Sequence, residues 1–160
     1  MAMQPPSAED HRVAYNFNSD WLLYVGEAEG AENPGFDDSA WEEVSLPYGW
    51  NEDDAFKEDI KDLSTGIAWY RKYFKLPEAR EGKKVFIEFE GVRQMAEVYV
   101  NGEYIGIHEN GVTAFGFDIS DHVQFGDQEN VIAVKTDNSW DYREQATGET
   151  FRWIDRNFYA

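Results

Sequence analysis

Two short apolar runs, Ala96 to Val100 and Tyr104 to His108, are separated by Asn101-Gly102, and no other dipeptide constrains the fold of this chain as tightly. Asn and Gly accept the positive φ that both central positions of a type I′ turn demand, so the flanking runs must pair as antiparallel strands. The same period-two pattern recurs along the chain. Val85, Ile87 and Phe89 alternate with Phe86, Glu88 and Glu90; Phe115, Phe117 and Ile119 form another alternating set; Val131 to Lys135 follows a Gly126-Asp127 turn. Upstream, Val13, Tyr15 and Phe17 alternate, Trp21 to Val25 is apolar, and Ile67 to Leu76 runs until Pro77. About seven or eight short strands with regular turns, and no helical period, predict an all-β antiparallel β-sandwich or jelly roll.

The connections carry their own signals. Gly26 to Ser39 is a loop with an Asn33-Pro34-Gly35 turn, and Phe36 to Trp41 is expected to hold a short helical turn capped by Asp37 or Ser39. Val44 to Pro47 reads as extended, because the residue before proline is pushed out of the α region. Asn51 to Ser64 reads as a surface excursion. Residues 1–12, with Pro5-Pro6 and no periodicity, are expected to be a flexible tail or an expression remnant, and residues 13–160 one domain.

Charge and composition narrow the function. Acidic residues outnumber basic ones 32 to 14, a formal net charge of -18. A field of that sign repels phosphate backbones and anionic lipid, so no nucleic-acid or membrane partner is expected. With no cysteine, a disulfide scaffold, a thiolate metal site and a cysteine nucleophile are excluded. Met1 to Ser7 has no apolar h-region and no run is long enough for a membrane span, so neither an intact signal peptide nor a span is visible. The missing cysteine does not locate the protein, since many secreted bacterial enzymes also lack it; the location is left open, with a bacterial periplasmic or extracellular one favoured over the cytoplasm. Aromatic residues make up 16% of the chain. Together with abundant Asp, Asn and Glu they suit a neutral polar ligand such as a sugar, whose C–H faces stack on rings and whose hydroxyls donate to carboxylates. Core packing is the competing reading for each ring.

Catalytic motifs are missing. There is no Gly-x-Ser-x-Gly elbow, no phosphate-cradling loop and no His-Glu-x-x-His, and His11, His108 and His122 are far apart. Asp37-Asp38 and Glu52-Asp53-Asp54 offer the hard oxygen donors of a structural calcium, against the alternative of solvated acidic faces. No other cofactor or metal is expected. Glycoside cleavage needs two facing carboxylates, and among 32 acids no pair stands out. Six aromatic rings fall in the last twenty-one residues, where termini are ordinarily polar, so the chain is expected to be cut short or to dock on something else.

Trp69-Tyr70-Arg71-Lys72 with Phe74 resembles the "WYRK-x-F" stretch of the N-terminal sugar-binding domain of glycoside hydrolase family 2, and the likeness continues in order along the chain. Phe17 to Trp21 is similar to the family's opening strand and Phe36-Asp37-Asp38-Ser39-Ala40-Trp41 to its "FDDS-x-W" turn. Leu46 to Trp50 resembles its "LPHDW", with Tyr48 and Gly49 in place of His and Asp. Phe89 to Val92, Val98 to Gly102, Gly106 with His108, Thr113 to Phe115, Phe117 to Ile119 and Val134 to Asn138 complete the series. The resemblance implies a galactose-binding-like jelly roll lacking its last strand. It also implies a β-galactosidase-like parent enzyme whose two catalytic glutamates lie in a TIM barrel beyond an immunoglobulin-like domain, neither present here. Catalytic residues in this chain are therefore none. The partners implied are those missing domains and a β-galactoside or related glycan. The resemblance further offers Asp155 and Asn157 as wall residues of the sugar subsite, with Asp141 and Arg143 behind them and Trp140 or Trp153 stacking beside. A loop that merely packs on the next domain is the equal alternative, and a stand-alone carbohydrate-binding module is the alternative for the whole chain.

Overall fold

The computed structural model describes residues 12–51, 65–139 and 141–149. Eight strands are present among them: β1 (Trp21–Val25), β2 (Glu42–Val44), β3 (Ile67–Phe74), β4 (Phe86–Phe89), β5 (Met95–Val100), β6 (Glu103–His108), β7 (Phe115–Asp118) and β8 (Asn130–Asp137), with one 3₁₀ turn at Glu78–Arg80. They form a six-stranded sheet in the order β2-β1-β3-β8-β5-β6 and a two-stranded sheet β4-β7. Every ladder is antiparallel. The Asn101-Gly102 hairpin is there as the dipeptide demands, with Val100 opposite Glu103 and φ of 51° and 86° at the two turn residues.

The pleat sorts the side chains. On the inner face of the large sheet, Trp21 and Leu23 of β1, Ala68 and Tyr70 of β3, Val98 and Val100 of β5, and Ile132 and Val134 of β8 meet Ile87 and Ile119 from the small sheet's side. Fully burying an aliphatic or aromatic side chain contributes about 1.5–3 kcal/mol, so this layer is the main source of stability. The outer face is covered too. The loop after β1 lays Ala28, Ala31, Phe36 and Trp41 over Trp69 and Ala133, forming a second apolar cluster. Burial on both faces explains why β8 reads Val-Ile-Ala-Val without alternation.

Two expectations need correction. Val13, Tyr15 and Phe17 form no strand, because β1 already has β2 on one side and β3 on the other and offers no free edge. Val13 and Tyr15 are exposed, while Phe17 packs edge-on against Trp21 and Phe74. Phe36 to Trp41 is a turn, not a helical segment. Asp37 does cap it, its carboxylate accepting the Ser39 N–H at 3.1 Å, and Trp41 N–H closes on the Asp38 carbonyl at 3.0 Å. Most of the Asn51 to Ser64 excursion, and residues 1–11, lie outside the described residues.

Candidate functional site

The register places three connections at one end of the sandwich. Ile67 and Met95 both lie opposite Asp137, Ala96 lies opposite His108, and Phe89 lies opposite Phe115. The β4–β5 and β6–β7 connections and the segment after β8 therefore emerge together. Aromatic stacking ties the two sheets at this end: the His108 ring lies 4.2 Å from Phe115, and Phe115 lies 4.9 Å from Phe89, both nearly parallel. His108 Nε2 also sits 3.1 Å from Thr113 Oγ1.

One carboxylate organises the segment after β8. Glu109 Oε1 accepts the Tyr142 hydroxyl hydrogen and the Gln145 N–H, the latter at 2.7 Å. Burial, reinforced by the Glu109 charge, pushes the Tyr142 hydroxyl far above its ordinary pKa, so it stays neutral and donates. At the strand end, Asp137 Oδ1 accepts Ser139 N–H at 2.8 Å, and Asn138 exchanges two bonds with Gly66. Beyond Tyr142 the chain folds on itself: Gly148 N–H donates to the Glu144 carbonyl at 2.8 Å and Arg143 Nη1 to the Gly148 carbonyl at 3.0 Å. The stem of half-buried Arg93 lies against Gly111, where a Cβ would approach its Cγ to 3.0 Å. Burial lowers the Arg93 pKa.

Of the residues expected to line a sugar subsite, Asp141 and Arg143 fall in this segment and are exposed, with Arg143 used as an internal clamp. Trp140, Trp153, Asp155 and Asn157 lie outside the described residues. Glu109 and Tyr142 were not foreseen as a pair. They are 33 residues apart, and only the β6–β8 topology brings them together. Among the described residues of this end no two carboxylates are arranged as a hydrolytic pair. Asp118, on the small sheet, is held well below the usual carboxylate range by the Ser120 hydroxyl and Lys84, the reverse of what a general acid requires.

A second polar node holds the loop on the outer face. The Arg71 guanidinium is fully buried, with Nε donating to Asp38 Oδ2 at 2.8 Å, Nη1 to the Ala31 and Asn33 carbonyls, and Nη2 to the Tyr73 hydroxyl at 3.0 Å. Tyr73 in turn donates to Asp38 at 2.8 Å. Asp38 Oδ2 is thereby engaged by Arg71 and Tyr73, and Asp37 Oδ1 by the Ser39 N–H of its own turn. Glu52-Asp53-Asp54 lies outside the described residues, among which no three His, Asp or Glu side chains group as metal ligands. Trp21 and Trp69 are core residues, as the packing reading of the aromatics has it, whereas Tyr24 and Tyr104 are exposed on the outer face.

Two antiparallel sheets packed face to face, with polar connections gathered at one end, define an all-β sandwich domain. The chain belongs to the family described as glycosyl hydrolase 2 galactose-binding domain-like, which matches residues 48–158. It is 45% identical over 134 residues to a β-glucuronidase of Formosa agariphila, covering 79% of this chain and 14% of that protein. It is 44% identical over 129 residues to a β-galactosidase of Thermoanaerobacter pseudethanolicus, covering 79% and 17%. Among solved structures, a β-glucuronidase from glycoside hydrolase family 2 superposes with a TM-score of 0.75 at 42% identity, over 86% of this chain and 15% of that one. A Bacteroides uniformis β-glucuronidase gives 0.74 at 35% identity, over 78% and 14%. The chain thus corresponds to the N-terminal domain of family 2 glycosidases and spans about 14–17% of the length of these relatives.

Proposed function

We propose that this domain is the scaffold and sugar-subsite wall of a β-glycosidase that hydrolyses β-glucuronides or β-galactosides. The bond is cleaved with retention by two carboxylates of a TIM barrel elsewhere in the protein. The observation that carries the reading is the anchoring of the segment after β8: Glu109 grips Tyr142 and Gln145, and Asn138 is bonded to Gly66. That anchoring supports a role for the stretch containing Trp140, Asp141, Arg143, Trp153, Asp155 and Asn157, since a carboxylate and an amide can accept from and donate to adjacent sugar hydroxyls while an indole stacks on the ring.

The test is hydrolysis of p-nitrophenyl β-glucuronide and β-galactoside by the complete protein and by the 160-residue chain alone. The complete protein should cleave at least one and the isolated chain neither; cleavage by the chain alone overturns the assignment of the chemistry elsewhere. Titration calorimetry of the isolated chain with galactose and glucuronate separates the second reading, a stand-alone sugar binder. Saturable binding there, with no hydrolysis by the complete protein, would favour it.

A further inference from the structure

The chain contains two Asn-Gly pairs, Asn101-Gly102 and Asn110-Gly111, and the fold treats them in opposite ways. Asn-Gly is the dipeptide most open to cyclisation, because glycine puts no Cβ in the path of the backbone nitrogen as it approaches the side-chain amide. At Asn101 every polar side-chain atom is engaged. Nδ2 donates to the His122 carbonyl at 2.8 Å and to Asn130 Oδ1 at 2.9 Å, and Oδ1 accepts Val131 N–H at 2.9 Å. Asn130 is itself fully buried and bonded twice to the Gln124 backbone. The two glycines are packed alike, a Cβ standing 3.2 Å from Pro34 Cδ at Gly102 and 3.0 Å from Arg93 Cγ at Gly111, so the contrast lies in the asparagine side chains. Rotating the Asn101 side chain toward the Gly102 nitrogen would break all of its bonds at once.

Asn110 sits in the connection between β6 and β7 with one side-chain bond, an exposed one, in which Oδ1 accepts Val112 N–H at 3.0 Å. Its Nδ2 has no acceptor among the described residues, and neither has the Gly111 N–H. The Val112 donor also stands where negative charge develops on Oδ1 when the amide carbon is attacked.

We propose that Asn110 is a spontaneous modification site of the native domain, converted to aspartate or isoaspartate, and that Asn101 is shielded from the same reaction. The Gly111 nitrogen attacks Asn110 Cγ, forming an N–Cγ bond. The Cγ–Nδ2 bond breaks and ammonia leaves with the proton given up by the Gly111 nitrogen. Water then adds to one of the two carbonyls of the cyclic imide and that carbon's bond to the Gly111 nitrogen breaks, the nitrogen taking back a proton: cleavage at Cγ leaves aspartate, cleavage at the backbone carbonyl carbon leaves isoaspartate. Each carries a new carboxylate one residue from Glu109, the group that grips Tyr142 and Gln145. The isoaspartate also lengthens the backbone by one atom at the rim of the loop end. This inference does not depend on the glycosidase reading.

The test is peptide mapping by mass spectrometry of the 160-residue chain, held in mildly alkaline buffer either native or unfolded in urea. Asn110 should convert in both states at comparable rates. Asn101 should convert freely only in urea and be slowed by more than about a hundredfold when native, because it must wait for an opening close to global unfolding. Native Asn110 as inert as Asn101, or native Asn101 as labile as Asn110, overturns the proposal. Gly111→Ala should slow conversion at Asn110 even in urea, where folding plays no part; an unchanged rate there would show direct amide hydrolysis and overturn the cyclisation route.

Discussion

The Arg71 node and the Glu109 clamp both hold a long connection against the same sheet, yet they do so with opposite electrostatics. At Arg71 a buried cation is surrounded by a carboxylate, two carbonyls and a hydroxyl, so its charge is neutralised and its donors are used. At Glu109 an anion receives two neutral donors and no cation is bonded to it among the described residues. Removing one partner of a buried ion pair leaves a desolvated charge and costs several kcal/mol, whereas a half-buried carboxylate that loses its donors can be rehydrated. The first arrangement suits a loop that belongs to the core. The second suits a loop that can adjust without leaving a charge stranded in the core.

The largest expected effect is therefore at Arg71. Arg71→Leu should destabilise the domain by about 3–5 kcal/mol, lowering the thermal midpoint by roughly 6–20 °C, because Asp38 is left without its cation. A loss under about 1 kcal/mol in urea titration would show that the node is not structural. Glu109→Ala should cost less, about 1–3 kcal/mol, with the damage local. Amide exchange at Gln145 should accelerate while that of β8 is unchanged; Glu109→Gln, which keeps an acceptor oxygen, should restore most of it.

Alkaline pH separates the two regions further. Burial pushes Tyr99 up to about 12, and burial likewise raises Tyr70 and Tyr142. The folded state then holds protons that the unfolded chain releases near pH 10, so stability is fully present below about pH 10 and falls as pH rises towards 12. A Tyr142 phenolate would face Glu109 with no cation bonded there among the described residues, whereas Tyr73, also raised by burial, has Arg71 beside it to offset Asp38. The Gln145 amide should accordingly loosen at lower pH than the Asn33 loop, and simultaneous loosening would contradict the electrostatic contrast. Smallest of all is Lys135–Glu27, a 3.0 Å pair with an exposed carboxylate. A double-mutant cycle should return less than about 1 kcal/mol, vanishing at high salt.

What the residues disclose in advance depends on how local the cause is. Asn101-Gly102 announces its hairpin because both turn conformations are properties of those two residues. Ile87 and Phe89 announce their inward face through the pleat, and Phe86 and Glu88 point out as alternation requires. Val13 to Phe17 misleads because alternation reports that a segment can be a strand, not that an edge is free to receive it. The Arg71 node is hidden for the same reason: its acceptors come from residues 31, 33 and 38, and only the folded loop shows that they converge. The Glu109–Tyr142 pair is a consequence of strand order, and nothing in local spacing encodes it.

Strand order also carries a kinetic consequence. β8 is the last of the eight strands to be synthesised, yet it lies between β3 and β5, with Phe74 opposite Asn130 and Val100 opposite Ile132. Until it arrives, β1–β3 and the β5–β6 hairpin are two separate pieces with unpaired edges, and neither can bury its apolar face against the other. The sheet therefore closes late, after residue 137 has left the ribosome, and folding should be slow for a chain of this length. During that interval the exposed Trp69 and Val98 strands are the segments a chaperone would have to cover.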